Sequence, residues 1–349
     1  MTMLFLCAGL AQGCSLIDDD LSVCGTDFEM VLEMQLVTDL DLVLETTLSA
    51  ETDVYTRAVL RNYFSDIFTD HAHDINIGFF STDDELVYSI HDVIDATQST
   101  YTFYLPKADY HAIATANLDN NQVVTLRDSA DSRMARLETM AADTLPTQRT
   151  GLFTVARDIE VIDTADQKIN LTLHMASCAL ALVIDTSAVP VSNIRAHMTN
   201  TANELMLRDS LFLHDRPKAV HLEKIEDTAA AAAAAQHYRP NKANLPNLAN
   251  IASAEPSRRD FLLGCAAFPT PDDPAKDGSY YQVKVYVSLP NGTITETVLT
   301  PYESLQAGQL KILKLQLQPD GSVLPTTSNE VGASVTLEWK NGGEYPIDI

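Results

Sequence analysis

Cys14 is the residue whose surroundings point most clearly to one kind of chemistry. It follows a nine-residue apolar run, Met3–Ala11, and Gly13 stands immediately before it. A run this short cannot span a bilayer and is typical of the apolar part of a secretion signal. A cysteine at the cleavage junction indicates a lipoprotein signal, in which the sulfur carries diacylglycerol and the freed amine can take a further acyl chain. Because two or three acyl chains hold a protein durably at a membrane, we expect a signal peptide over residues 1–13 and lipidation of Cys14.

The leader departs from the usual pattern in its charge. It contains no Lys or Arg, and the first basic residue of the chain is Arg57. A start of translation further upstream would account for the missing basic residues. The alternative interpretation is a buried N-terminal strand or helix that contains an incidental cysteine.

The segment Asp70–Asp74 is the second candidate for chemistry, because it contains two histidines. His71 and His73 would share one face of a strand and could bind a metal ion there. The segment lies between a predicted helix and a predicted strand, however, where polar turn residues are common. We therefore interpret it as a solvated turn, and we expect no metal site.

Motifs of the common enzyme classes are missing from the sequence. No two of its 13 glycines form a Gly-x-Gly pair, so neither a dinucleotide loop nor a Walker loop can be written. There is also no Gly-x-Ser-x-Gly elbow, His-Glu-x-x-His or Cys-x-x-Cys motif. A catalytic triad scattered along the chain would escape this search. The sequence nevertheless predicts a protein with no catalytic residues and no cofactor.

The remaining cysteines leave two alternatives open. Cys178 and Cys265 both fall in apolar, strand-like runs of the second half. They could form a disulfide, since an exported protein meets an oxidising compartment. They could equally be two free thiols in a core. With Cys24 the number is odd, so at most one intramolecular bridge can form.

Charge and length restrict the class of protein. The 349 residues include 48 acidic and 23 basic ones, for a net charge of −25. Nothing in such a chain would neutralise phosphates, which excludes nucleic acid as a partner. Attraction to anionic lipid is excluded for the same reason, so the acyl chains must supply membrane attachment. A chain this long is more than one core usually holds, and two domains are expected.

The hydrophobic pattern predicts mostly strands. Alternation begins at Phe28 and continues through Leu40, Leu42 and Leu44, and one amphipathic helix is expected near 53–69. Residues 126–150 are expected to form a loop with a helical turn. Asn291–Gly292 between two alternating runs is a strong hairpin signal. Many short strands separated by turns indicate an all-β chain of β-sandwiches.

Several stretches together resemble the FimB-type fimbrial anchor lipoproteins of Bacteroides-type (type V) pili. The most specific is the lipidation cysteine followed by acids and a second cysteine, Cys14–Cys24. The others are Leu60–Phe68 leading into Ile75–Phe80, Tyr101–Asn117, Gly151–Phe153, Gln306–Leu310 through Gln318–Gly321, and Val335–Trp339.

This resemblance implies two tandem transthyretin-like β-sandwich domains and a lipidated outer-membrane protein, exposed at the cell surface. It implies that the protein holds the base of a fimbria, limits its length and contacts the fimbrial stalk subunits through strands. It also implies that Asp18, Asp19 and Asp20 act as the signal for export to the outer face. The expected organisation is a lipidated acidic tether over 14–27, an N-terminal domain over 28–166 and a C-terminal domain over 167–349. An exposed, alanine-rich insertion is expected near 226–259.

Two other functions remain open at this point. The chain could be a surface lipoprotein that binds glycan through an exposed aromatic face, although it contains only one Trp. It could also be a lipoprotein hydrolase whose catalytic groups the motifs do not reveal.

Overall fold

The structure is a computed structural model. It describes residues 26–35, 39–50, 53–94, 100–119, 121–162, 167–226, 260–276, 278–326 and 331–338. The predicted signal peptide, most of the tether and almost all of the predicted insertion lie outside these residues.

Strands dominate the described residues, and only two helices accompany them. The helices are α1 (Leu40–Thr47) and α2 (Val54–Phe64). The strands of the first half are β1 (Thr26–Gln35), β2 (Asp74–Phe80), β3 (Leu86–Val93), β4 (Thr100–Leu105), β5 (Ala108–Ala116), β6 (Val124–Arg127), β7 (Arg136–Thr139), β8 (Thr144–Leu145) and β9 (Phe153–Val161). Those of the second half are β10 (Gln167–Met175), β11 (Cys178–Asp185), β12 (Asn193–Thr201), β13 (Glu204–Met206), β14 (Leu211–Leu213), β15 (Lys218–Lys224), β16 (Asp260–Ala267), β17 (Val283–Ser288), β18 (Ile294–Pro301), β19 (Leu310–Leu317), β20 (Val323–Pro325) and β21 (Val331–Glu338). The prediction of an all-β, sandwich-like chain is confirmed.

These strands form three sheets. The first has seven strands in the order β3-β2-β5-β9-β10-β1-β4. The second has ten strands, in the order β20-β19-β11-β16-β15-β12-β17-β18-β21, with β8 paired to β15. A small sheet, β14-β13-β7-β6, joins strands from both halves of the chain. β10 begins at Gln167, the first residue of the predicted C-terminal domain, and lies inside the first sheet.

Two sequence predictions of secondary structure are wrong. The run of leucines from Leu40 forms α1 and not a strand. Asp39 starts this helix by accepting hydrogen bonds from the backbone N–H groups of Asp41 and Leu42, at 3.0 and 3.2 Å. Leu44 and Leu48, four residues apart, are both buried, so the helical period and not the period of two decides which side chains reach the core.

The second error concerns residues 126–150, where a loop with a helical turn was expected. The chain forms β6, β7 and β8 there. β7 pairs with β13 and β8 pairs with β15, both from the second half. Strands this short have little local preference, and their pairing partners, distant in sequence, stabilise them.

The predicted hairpin is confirmed. β17 and β18 pair antiparallel across Asn291–Gly292. Gly292 has φ +84, which glycine adopts without the steric cost of a Cβ. The backbone N–H of Leu289 donates to the carbonyl of Thr293 at 2.9 Å and closes the loop.

Two hydrophobic cores lie on opposite faces of β11. Leu180 and Leu182 belong to the core enclosed by the ten-stranded sheet. Ala181 and Val183 belong to the core shared with the seven-stranded sheet and the helices. Because both faces of β11 are covered, its side chains form a nearly continuous apolar run.

Helix α2 connects the two halves of the protein. The Tyr63 hydroxyl donates to the carbonyl of Gly264 on β16 at 3.1 Å, and Thr56 donates to Asp260 at 3.0 Å. Just before the helix, buried Asp53 accepts a 2.9 Å hydrogen bond from Lys314 on β19. The helix therefore packs against the ten-stranded sheet through polar contacts as well as through Phe64 and Leu60, which are fully buried.

Candidate docking edges of the sheets

β1 is an interior strand, although it is the first strand of the described chain. Phe28–Gln35 run parallel to Gln167–His174 of β10. On its other side, Thr26–Val31 run antiparallel to Thr100–Leu105 of β4. Both backbone edges of β1 are therefore used, and the position between β10 and β4 is filled by the chain itself.

β3 is an outer strand of the seven-stranded sheet and is exposed along most of its length. It pairs with β2 only. Val87 is 48% and Val93 71% exposed, and Tyr88 is 40% exposed. Among the described residues, the start of the strand is covered, where the backbone N–H of Leu86 donates to the carbonyl of Ala130 at 3.0 Å. An outer strand with unpaired backbone groups and apolar side chains is a template for an added strand.

β4 is the opposite outer strand of the same sheet, and it pairs with β1. Burial raises the pKa of Tyr101 on β4 to about 12, and the Asp92 carboxylate on β3 contributes to the increase. The Tyr101 hydroxyl is buried and has no hydrogen-bond partner among the described residues.

The ten-stranded sheet ends in β20 and β21. β20 is short and pairs only with β19. β21 pairs only with β18, over Val331–Glu338. Short or polar outer strands resist unwanted pairing. β21 is the longer of the two, and among the side chains that the structure describes there, Val335 is a large apolar one that is exposed, at 41%.

Most of the predicted site residues cannot be located in this structure. Cys14, Asp18, Asp19 and Asp20 lie outside the described residues. Cys178 and Cys265 are both described, and both are buried free thiols.

The two thiols lie on neighbouring strands in offset positions. Cys178 is opposite Ala267, and Cys265 is opposite Leu180. Such diagonal neighbours have Cα atoms about 7–8 Å apart, which is longer than the usual disulfide span of about 4.4–6.8 Å. Burial raises the pKa of both thiols well above the ordinary value. In this structure they are packing residues of a core.

The histidine-containing turn occupies the loop before β2. His71 Nε2 lies 3.2 Å from an Asp70 carboxylate oxygen, and both side chains are exposed. The backbone N–H of His73 donates to buried Asn117 at 2.7 Å. Across the part of the chain that the structure describes, no three His, Cys, Asp or Glu side chains are grouped as metal ligands. Neither of the two described helices is long and apolar enough to cross a bilayer.

Sequence reasoning identified β3 as a strand but not as an exposed outer one. Its apolar residues Leu86, Val87 and Tyr88 are consecutive, which breaks the strict alternation of a half-buried strand. That consecutive apolar run was the signal in the sequence that could have indicated an exposed outer strand. Which strand lies outermost depends on long-range pairing, which periodicity does not report.

The fold and these outer strands define a class of protein: β-sandwich proteins with open sheet edges. A solved structure of a proposed adhesin from Bacteroides thetaiotaomicron matches 89% of this chain and 95% of its own, with TM-score 0.51 and 8% identity. A proposed polysaccharide-binding protein from the same organism matches 87% of this chain and 99% of its own, with TM-score 0.50 and 8% identity. At this identity the likeness shows the fold alone.

The family is shown by the sequence itself. The family model of fimbrillin-A associated anchor proteins Mfa1 and Mfa2 matches residues 42–251, more than half of the chain. The chain belongs to this family. The fimbrial anchor protein Mfa2 from Porphyromonas gingivalis is among the similar structures, with 10% identity, TM-score 0.45 and coverage of 90% of this chain and 99% of its own. A search of curated protein sequences finds no match. Family membership gives the chain a non-enzymatic fimbrial role at the cell surface.

Proposed function

We propose that the protein is a lipidated anchor subunit that holds a fimbria to the outer membrane and limits its length. In this proposal Cys14 carries diacylglycerol on its sulfur and a further acyl chain on its amine, and these chains are embedded in the membrane. Asp18, Asp19 and Asp20 behind it direct export to the outer face. The folded chain contacts fimbrial stalk subunits by strand addition.

The observation that carries the proposal is the position of β1. In the related pilins a donated strand links successive subunits after a protease trims the chain at an arginine. Here β1 is paired on both sides, and no Lys or Arg precedes Arg57. A protease with this specificity has no site between Cys14 and the end of β1. The lipid therefore stays attached, and the sheet position that β1 occupies stays closed to a donated strand.

The remaining contact with the stalk must use a free sheet edge. β3 is the best candidate among the described strands, because it combines unpaired backbone with exposed Val87, Tyr88 and Val93. Addition of one strand would pair these backbone groups and cover the apolar side chains. A subunit that accepts a strand at its outer edge and keeps its own β1 paired donates no strand to another subunit. It therefore stands at the end of a chain of donated strands, which is what a terminal anchor requires.

Metabolic labelling with a clickable palmitate analogue tests the lipid. We expect label on the wild type and on Cys24→Ala, and none on Cys14→Ala. Label that persists on Cys14→Ala would remove the anchor from the proposal.

Co-purification of stalk subunits tests the β3 edge. Lysine at an outer strand discourages strand addition, so Val87→Lys should reduce the recovered stalk protein by roughly tenfold. Leu42→Lys is the matched control, because Leu42 is also an exposed apolar residue, at 59%, and lies on helix α1 and not on an outer strand. Equal recovery with the two variants would contradict docking at β3.

A further inference from the structure

The outward face of the seven-stranded sheet has a gap in side-chain size beside the β3 edge. Ile77 and Phe79 of β2 belong to the core shared with the helices, so Gly78 between them faces outward. Gly78 is directly opposite Ser89 on β3 and opposite Ile113 on β5. The two smallest residues of this face therefore lie between larger pairs, which are Phe80 with Leu86 and Asn76 with His91.

A hollow of about 150 Å³ lies over this small pair. Gly78 forms part of its floor. A Cβ added to Gly78 would be 2.8 Å from Cε2 of Phe80 and 3.3 Å from Cδ1 of Leu86, so both large side chains stand close beside the glycine. The lining is mostly apolar, and its large or buried apolar side chains are Phe80, Leu86, Ile113, Leu126, Ala135 and Leu207.

The hollow is open at β3. Ser89 and His91 line it from this strand, and both are exposed. Thr115, two strands further in on β5, also lines it and is 2% exposed. The Thr115 hydroxyl has no hydrogen-bond partner within the ranges that the structure describes. Finished cores leave few such groups, so this space is an incomplete core that can be reached from the strand edge.

A strand added at β3 would place one side chain at the mouth of the hollow. Every second residue of that strand would stand on the same face as Ser89. Cβ atoms directly opposite each other on neighbouring strands are about 4.5–5.5 Å apart, so the residue opposite Ser89 would adjoin the hollow. Because serine is small, a large side chain at that position can lean across Ser89 toward Gly78.

The volume and the lining of the hollow select an aromatic ring. A cavity of about 150 Å³ lined by Leu, Ile and Phe holds one benzene molecule. This hollow has a similar volume and a similar lining. No Asp, Glu, Lys or Arg is among the described residues that line it, so a charged side chain would find no ion-pair partner there.

We propose that the hollow is a specificity pocket, which receives one phenylalanine-sized aromatic side chain from the stalk-subunit strand that adds to β3. This inference rests on the strand addition proposed above and names the feature by which the edge selects its partner. Backbone pairing supplies affinity for an extended chain, whereas pockets for alternate side chains supply specificity.

Filling the hollow from its own strand tests the proposal. Ser89→Phe places a ring beside Gly78 and leaves the backbone edge of β3 free. Co-purification of stalk subunits should fall by roughly tenfold or more, which is typical for the loss of one buried aromatic anchor. Ser334→Phe is the matched control, because Ser334 is an exposed serine on β21, an outer strand of the ten-stranded sheet. Equal recovery with the two variants would overturn the pocket.

Val87→Lys separates the pocket from the edge. If Val87→Lys lowers recovery and Ser89→Phe does not, β3 binds the stalk without this pocket. If neither variant lowers recovery, docking at β3 is itself wrong and the pocket is wrong with it.

Two measurements on the chain alone complete the test. A ring buried in the hollow removes apolar surface from water, so Ser89→Phe should melt at a higher temperature than Ser334→Phe. A lower melting temperature would show that the hollow has no room for a ring and would overturn the proposal. Light scattering should show the same monomer for the wild type and Ser89→Phe. A wild-type dimer that Ser89→Phe abolishes would assign the hollow to a second copy of the chain and contradict the proposal.

Discussion

Gly264→Val is the substitution that tests how the two halves of the protein are joined. Gly264 lies on β16, directly under helix α2. A Cβ added there would be 2.8 Å from Cε1 of Tyr63, 2.9 Å from Cδ1 of Ile225 and 3.1 Å from Cζ of Phe64. All three distances are shorter than ordinary van der Waals contact. The helix can pack against this sheet only because residue 264 has no side chain.

The cost follows from these contacts. Overpacking of a filled core costs about 1–3 kcal/mol. Displacement of Tyr63 also breaks its 3.1 Å hydrogen bond to the Gly264 carbonyl, which is worth about 1 kcal/mol. Burial raises the pKa of Tyr63, so its hydroxyl stays protonated as the donor. The free energy of unfolding should therefore fall by about 2–4 kcal/mol, and the melting temperature by roughly 3–6 °C for a chain of this length.

Urea denaturation and scanning calorimetry of the mature chain measure both quantities. Tyr63→Phe removes only the hydrogen bond and should cost about 1 kcal/mol. Ala333→Val also introduces a valine, at an exposed position of β21, and should change stability by less than about 0.5 kcal/mol. The reasoning is refuted if Gly264→Val unfolds like Ala333→Val, because α2 would then not be packed against β16.

Three further predictions follow from buried groups. The pKa of His197 is about 4 in the folded protein and near 6.5 when unfolded, so the unfolded chain takes up this proton first as the pH falls. The stability that neutral His197 contributes is fully present above pH 6.5, and about 2–3 kcal/mol is lost on going down to pH 4; urea unfolding should show this loss in the wild type and not in His197→Gln. Gly151→Ala should destabilise by more than about 2 kcal/mol, since its Cβ would be 2.0 Å from the carbonyl oxygen of Ile67, and a normal melting temperature would contradict this contact. Lys314→Met removes the 2.9 Å ion pair between Lys314 and Asp53, whose side chain is 2% exposed; a loss of about 2–4 kcal/mol is expected, and restoration by the second change Asp53→Asn would identify the buried carboxylate charge of Asp53 as the cause.

The hydrophobic pattern predicted secondary structure correctly where the local sequence alone sets the conformation of an element. The alternation from Phe28, the helix near residue 60 and the turn at Asn291–Gly292 all appear as predicted. The reason is local. An apolar period of two places side chains on one face of a strand, and a period of 3.6 places them on one face of a helix. Gly292 adopts φ +84 without support from the rest of the fold. The same pattern was misleading at Leu40, because leucines two residues apart are compatible with both periods over so short a run.

The sequence by itself determined the strand-rich class, the strongly acidic net charge, and the resemblance that the family model bears out. Only the tertiary structure decided that β1 lies between β10 and β4, that β3 is an open outer edge, and that Gly78, Ser89 and Leu207 line one hollow. These facts depend on register between strands far apart in the chain, and the partner of a strand is chosen by the packing of the whole sheet rather than by its own residues.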